Sequence, residues 1–328
     1  MANITIATRT SIQRRVRKAA TASAVATGGA MLGAVGLAYY VAHVLTAPKR
    51  ADPMDDFVMT PFETGADFEE VAFAPLVGEY LLRGWWLPCP ETDRVIIGCH
   101  GYRGSKAQLV GIGTILWRAG YNVLLFDFNG HGASAGSSVT LGYHETQDFC
   151  AAIEYVTRRM PQAQIGVIGF SMGASVAIMG AAQRPEIRCV IADSPFATHL
   201  DVVSHNVERV THISGRMIAR LADQFLPYMG GYRSSDVQPV RDAALLAPRP
   251  LLVIHGTADE TIPVEHALQV YRAARQPKDL WLAEGAAHCG AYFLDRPYYC
   301  ERAIGFFARY LGEGTQERSG TIRGEETA

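Results

Sequence analysis

A chain of 328 residues, 48% hydrophobic and 19% charged, carries enough apolar side chains to bury a large core, which excludes wholesale disorder and fibrous repeats. Thirty basic residues against 32 acidic ones give a net charge of −2, so no global field holds a polyanion and nucleic-acid binding loses its main support. Six cysteines without a CxxC pair and ten histidines without paired-ligand spacing point to no metal site.

The charge is uneven, because residues 1 to 50 hold seven Lys/Arg and no Asp/Glu. Residues 1–18 are a basic segment, and 19–47 form an uncharged run rich in Ala, Gly and Val. The run is about twice as long as a signal-peptide core and reads as a single-pass transmembrane helix, with a cleaved signal peptide or a buried helix as alternatives. Arg9, Arg14, Arg15, Arg17 and Lys18 precede it, whereas only Lys49 and Arg50 follow closely. The positive-inside rule then keeps the N-terminus cytoplasmic and puts the rest of the chain on the far face of the membrane. Gly29 and Gly33 make a GxxxG pair that permits a weak helix-mediated dimer. Residues 48–61 read as a polar tether, so deletion through Arg50 is expected to leave an active domain.

The domain proper spans 62–311, and 312–328 is a charged tail expected to stay disordered. Phe68 to Ala74 and Glu79 to Leu87 cluster β-formers around Gly78, as an antiparallel pair does. Short apolar runs then alternate with helical patterns. The runs are Val95 to Cys99, Tyr121 to Phe128, Ile165 to Phe170, Cys189 to Ala192, Leu251 to His255 and Leu280 to Ala283. The helices are 107–118, 146–159, 172–183, 264–274 and 300–311. Such alternation predicts a mostly parallel sheet with helices on both faces, an α/β fold. The stretch 198–247 breaks the rhythm and reads as an inserted helical cap. Within it Ser214 is placed to cap a helix in which Met217, Ile218, Leu221 and Phe225 recur on one face, ending at Pro227, and Met217, Leu221 and Phe225 are expected to line a substrate pocket.

Gly169-Phe170-Ser171-Met172-Gly173 is a GxSxG sequence set between a strand pattern and a helix pattern, the context a nucleophile elbow requires. The Met172 amide, at the start of that helix, is positioned to donate to a developing oxyanion. A serine nucleophile needs a base and an orienting acid. Asp259 follows one strand, His288 follows the last, and Asp193 ends an earlier strand and competes for the acid role. Gly130-x-Gly132-x-x-x-Gly136 misses the dinucleotide spacing and 98–106 lacks a P-loop ending, so no nucleotide cofactor is implied.

With Cys99-His100-Gly101-Tyr102-Arg103-Gly104 and Asp127-Phe128-Asn129-Gly130-His131-Gly132 in the same order, the chain resembles the α/β-hydrolases. It is similar to the branch shared by prolyl-oligopeptidase-like and monoacylglycerol-lipase-like enzymes. The resemblance covers about residues 57–311 and implies a triad in the order Ser171, Asp259, His288. It also implies a second oxyanion donor at the Tyr102 amide, bracing roles for His100, His131 and His255, and no cofactor. The expected activity is hydrolysis of a small-molecule or lipid ester or thioester through an acyl-enzyme. A serine peptidase, an acyltransferase and a silent binding scaffold remain as alternatives, and Arg103 is a candidate for steering an anionic substrate.

Overall fold

The computed structural model describes residues 18, 27–48, 59–134, 136 and 138–312. The basic segment before Lys18, most of the tether and the tail beyond Gly312 therefore lie outside the described residues. An eight-stranded sheet runs in the order β1-β2-β4-β3-β5-β6-β7-β8, with strands β1 (Glu69–Phe73), β2 (Leu82–Leu87), β3 (Arg94–Cys99), β4 (Asn122–Phe126), β5 (Gln164–Phe170), β6 (Ile187–Asp193), β7 (Leu251–Gly256) and β8 (Lys278–Ala283). The β1–β2 and β2–β4 pairs are antiparallel, and every other pair is parallel. This is the mostly parallel sheet with covered faces that the resemblance implies.

The inner strands are apolar on both sides because both sides are packed. In β3 the side chains of Val95, Ile97 and Cys99 enter one core cluster and Ile96 the other. The first cluster is closed by α3 (Tyr143–Arg159), α4 (Met172–Gln183) and α9 (Val264–Ala273), the second by α2 (Val110–Arg118) and α11 (Arg296–Leu311). The short helix α10 (Ala291–Leu294) leads into α11. Two of these helices begin earlier than apolar periodicity alone predicts, because polar side chains cap them. The Glu145 carboxylate accepts from the Gly142 amide at the start of α3 (2.8 Å), and Asp295 accepts from the Tyr298 amide in α11 (3.0 Å).

The insertion is helical, built from α5 (His199–Thr211), α6 (Gly215–Ala222), α7 (Leu226–Met229) and α8 (Pro239–Ala243). Ser214 does not cap α6 with its side chain, and that helix stops at Ala222 instead of running on to Phe225. Thr198 is the side-chain cap of the insertion, accepting from the Asp201 amide at the start of α5.

A further helix, α1 (Thr27–Thr46), is long and apolar enough to cross a membrane by length and composition. It is not a detached element, because part of it packs on the domain. From Ala34 onward the covered positions of α1 are Ala34, Leu37, Ala38, Val41, Ala42, Val44, Leu45 and Thr46, mostly at the three-and-four spacing that marks one helical face packed on the domain. Ala38 and Ala42 are fully buried and small enough to let the backbones approach. No described atom lies within 4 Å of where a Cβ would stand on Gly29 or Gly33.

Candidate active site

The winding of the sheet reverses around β3, with β4 on one side and β5 on the other. Ligand crevices of open α/β sheets form at such a switch point, beyond the carboxyl ends of the strands. The turn after β5 carries Ser171, and the loop after β3 carries His100 to Gly104.

Ser171 has φ 56° and ψ −118°, a conformation that costs a non-glycine residue on the order of 1–3 kcal/mol and persists only when its surroundings impose it. They do. A Cβ on Gly169 would overlap the Gly173 carbonyl, and one on Gly173 would overlap the Cys99 carbonyl. Only glycines at both positions let strand, turn and helix close this tightly. The Ser171 amide donates to the Asp193 carbonyl (2.8 Å), tying the turn to β6. Its hydroxyl projects from the start of α4, where the helix dipole favours negative charge.

The three residues that sequence order aligns meet in space. His288 Nε2 lies 2.9 Å from Ser171 Oγ, and His288 Nδ1 lies 2.7 Å from Asp259 Oδ2. The other Asp259 oxygen accepts from the amides of Thr261 and Ile262, both at 2.9 Å. Burial raises the pKa of Asp259, but the hydrogen bond and charge of His288, together with the Ile262 amide, outweigh it and hold the carboxyl below its usual range. The carboxylate is thereby kept ionised beside the imidazole. His255 Nε2 donates to the Ile262 carbonyl (2.7 Å) and sits 3.3 Å from Asp259 Oδ2. It fixes the loop that presents the acid, and burial lowers its pKa so that it stays neutral.

Asp193 is fully buried, and its carboxyl accepts from Ser194 Oγ (2.9 Å) and the Tyr299 hydroxyl (3.0 Å). Burial pushes its pKa up to about 6. It therefore supports the site from below and makes no hydrogen bond to His288. Ser194 passes that support on, since its Oγ accepts from the Cys289 amide (3.2 Å), next to His288. Ser194 and Cys289 both have positive φ, 57° and 51°, so strained backbone surrounds the histidine loop as well as the serine. Nothing in the sequence marks Ser194, Cys289 and Tyr299 as a unit, because they come from three separate segments.

Met172 opens α4 directly after Ser171, and Tyr102, in the loop after β3, lines the same cavity as Ser171. His100 makes that loop rigid: its Nδ1 donates to the Gly101 carbonyl (2.8 Å) and its Nε2 accepts from the Phe128 amide (3.1 Å). Burial lowers its pKa to about 3 and keeps it neutral. His131 donates from Nδ1 to the Asn129 carbonyl (2.8 Å) and packs against His100. Arg103 is turned toward α1, its guanidinium donating to the Val44 carbonyl (3.1 Å) and lying over the Tyr102 ring.

Ser171 opens into an apolar cavity of about 400 Å³. The cap contributes to it through α5, with Val202, Val203, Val207 and Val210, and not through the stripe expected on α6. Met217 and Leu221 instead line a shallow surface depression, and Met217 is 47% exposed. Phe225 packs against Tyr39 of α1, ring centroids 5.6 Å apart. The buried face of α6 includes Ile218, Ala219 and Ala222, Leu221 and Phe225 pack partly buried against the core, and Met217 is left exposed.

Residues 90–246 match the family described as serine aminopeptidase, S33. The chain is 30% identical over 267 residues to the uncharacterised protein YfhR of Escherichia coli O157:H7, covering 78% of this chain and 86% of that one. It is 25% identical to the monoacylglycerol lipase of Mycolicibacterium smegmatis, over 67% of this chain and 89% of the lipase. Among solved structures, an esterase of Pyrococcus furiosus superposes with a TM-score of 0.67 at 27% identity, covering 82% of this chain and 99% of the esterase.

Proposed function

Since the chain belongs to the α/β-hydrolase superfamily and is a hydrolase of the esterase-like type, we propose that it is a membrane-anchored serine esterase working through an acyl-enzyme. The observation that carries this reading is the unbroken Ser171–His288–Asp259 hydrogen-bond chain at 2.9 and 2.7 Å.

In this mechanism Ser171 Oγ attacks the ester carbonyl while His288 Nε2 takes its proton. The Met172 and Tyr102 amides receive the negative charge that develops on the carbonyl oxygen. The tetrahedral intermediate collapses, His288 returns the proton to the departing alcohol, and an acyl-Ser171 ester remains. Water, deprotonated by the same imidazole, then releases the acid. Asp259 holds Nδ1 protonated throughout, leaving Nε2 free to accept.

The aminopeptidase description of the matching family offers a second activity, but a free α-amino group calls for a carboxylate partner. None of the described residues lining the cavity is acidic. Apolar walls suit an acyl chain better. A fluorophosphonate probe is expected to label the protein at Ser171, and p-nitrophenyl esters are expected to turn over far faster than aminoacyl p-nitroanilides. No labelling, or a preference for the anilides, would overturn the reading.

The charge distribution supports an orientation with Arg9 to Lys18 on the cytoplasmic side and the catalytic domain across the membrane. Protease added to intact cells is expected to digest the domain. Digestion only after lysis would reverse the orientation.

A further inference from the structure

One wall of the cavity belongs to α1. Leu37, Val41, Val44 and Leu45 line it together with Val202, Val203 and Val207 of α5 and with Ser171. The helix is also latched to the loop beside the serine. The Val44 carbonyl accepts from the Tyr102 hydroxyl (2.9 Å) and from Arg103 (3.1 Å), and the Thr46 carbonyl accepts from the Val139 amide (3.1 Å). A simple tether to a membrane needs no such fit.

The length of the uncharged run fits this double use. The run spans 19–47, longer than the roughly 20 residues a bilayer core of about 30 Å requires. The excess of about nine residues covers the last turns of α1, which carry Val41, Val44 and Leu45. With α1 entering the bilayer where it leaves the domain, the cavity opens beside the lipid surface, and Met31, Leu32 and Val35 remain exposed there.

We infer that α1 is half of the acyl-binding site, that Leu37, Val41 and Leu45 set acyl-chain length, and that the substrate is a long-chain carboxylic ester drawn from the bilayer. This rests on the serine-esterase reading and specifies its substrate class. Each methylene withdrawn from water into the cavity is worth roughly four-fold in kcat/KM, so a chain filling the space gains orders of magnitude over acetate.

The test uses the full chain reconstituted in phosphatidylcholine vesicles, with p-nitrophenyl acetate supplied in water and p-nitrophenyl palmitate dissolved in the same bilayer. Wild-type protein is expected to favour the palmitate ester. Val41→Trp, which fills the cavity, is expected to lower kcat/KM for palmitate at least about ten-fold more than for acetate, by the loss of two or more buried methylenes. Leu37→Ala, which widens the cavity, keeps the test informative if the larger residue prevents folding, and is expected to move the preference toward bulkier acyl groups. Leu32→Trp, at a position 76% exposed, is expected to change neither rate. Fluorophosphonate labelling reports the integrity of the nucleophile in each variant. Labelled variants of Val41 and Leu37 with unchanged palmitate-to-acetate ratios would overturn the role of α1 while leaving the esterase reading intact. Wild-type protein that neither labels nor hydrolyses any ester would overturn both.

Discussion

Replacing Ser171 with alanine is expected to lower kcat for a p-nitrophenyl ester by about 10⁶-fold, with His288→Ala about as damaging and the double variant no worse than either. The reason is that the two side chains perform one act. With Nε2 2.9 Å from Oγ, the histidine has nothing to deprotonate once the hydroxyl is gone, and the hydroxyl stays a weak nucleophile without the base. Residual turnover above the uncatalysed rate comes from the oxyanion amides and from binding, which none of these variants alters. Single-turnover kinetics and fluorophosphonate labelling check this. A double variant clearly slower than both singles, or labelling that persists without Ser171, would assign the nucleophile elsewhere.

Asp259→Asn is expected to cost on the order of 10⁴-fold in kcat, whereas Asp193→Asn is expected to change kcat by less than about ten-fold. An amide at position 259 presents a donor to His288 Nδ1 and drives the imidazole into the tautomer that cannot accept the serine proton. Asp193 meets Ser194 and Tyr299, so its replacement acts on the packing below the site. Its effect has a distinct pH signature. Burial raises the native pKa of this carboxyl to about 6, above its ordinary value of 3.8, so the folded chain holds the proton more tightly than the unfolded one. Stability contributed by the protonated form is present below about pH 4 and is lost as pH rises through about 6. Denaturation of wild type against Asp193→Asn across that range should show a difference that varies with pH, while Asp259→Asn should leave this pH dependence in place. Reversed kinetic results would move the acid to β6.

Much of the site is local in sequence, and local sterics explain why it could be read there. A serine between Gly169 and Gly173, entered by a β-branched run and left by a helix pattern, has few conformations open to it, and the elbow is the one that packs. Alternation of continuous apolar runs with amphipathic helices likewise determined a parallel sheet covered on both faces, because no other arrangement buries both sides of such strands. Strand ends put Asp259 and His288 on the same edge of that sheet.

The choice between Asp193 and Asp259 was not local. Both end strands, and only the loop geometry held by His255, Thr261 and Ile262 brings one carboxylate to the imidazole. The pocket wall was not local either. Periodicity identifies an apolar face on α6 but not what that face meets, and packing buried Ile218 of that face while leaving Met217 exposed. In α1 the limit is sharper still. A run rich in Ala, Gly and Val has no polar face to show which side is covered, since lipid and a protein core are equally apolar. Sequence determined that this helix is long and apolar enough to cross a membrane. Only the tertiary structure decided that its last turns lie against the cap and close the cavity beside Ser171.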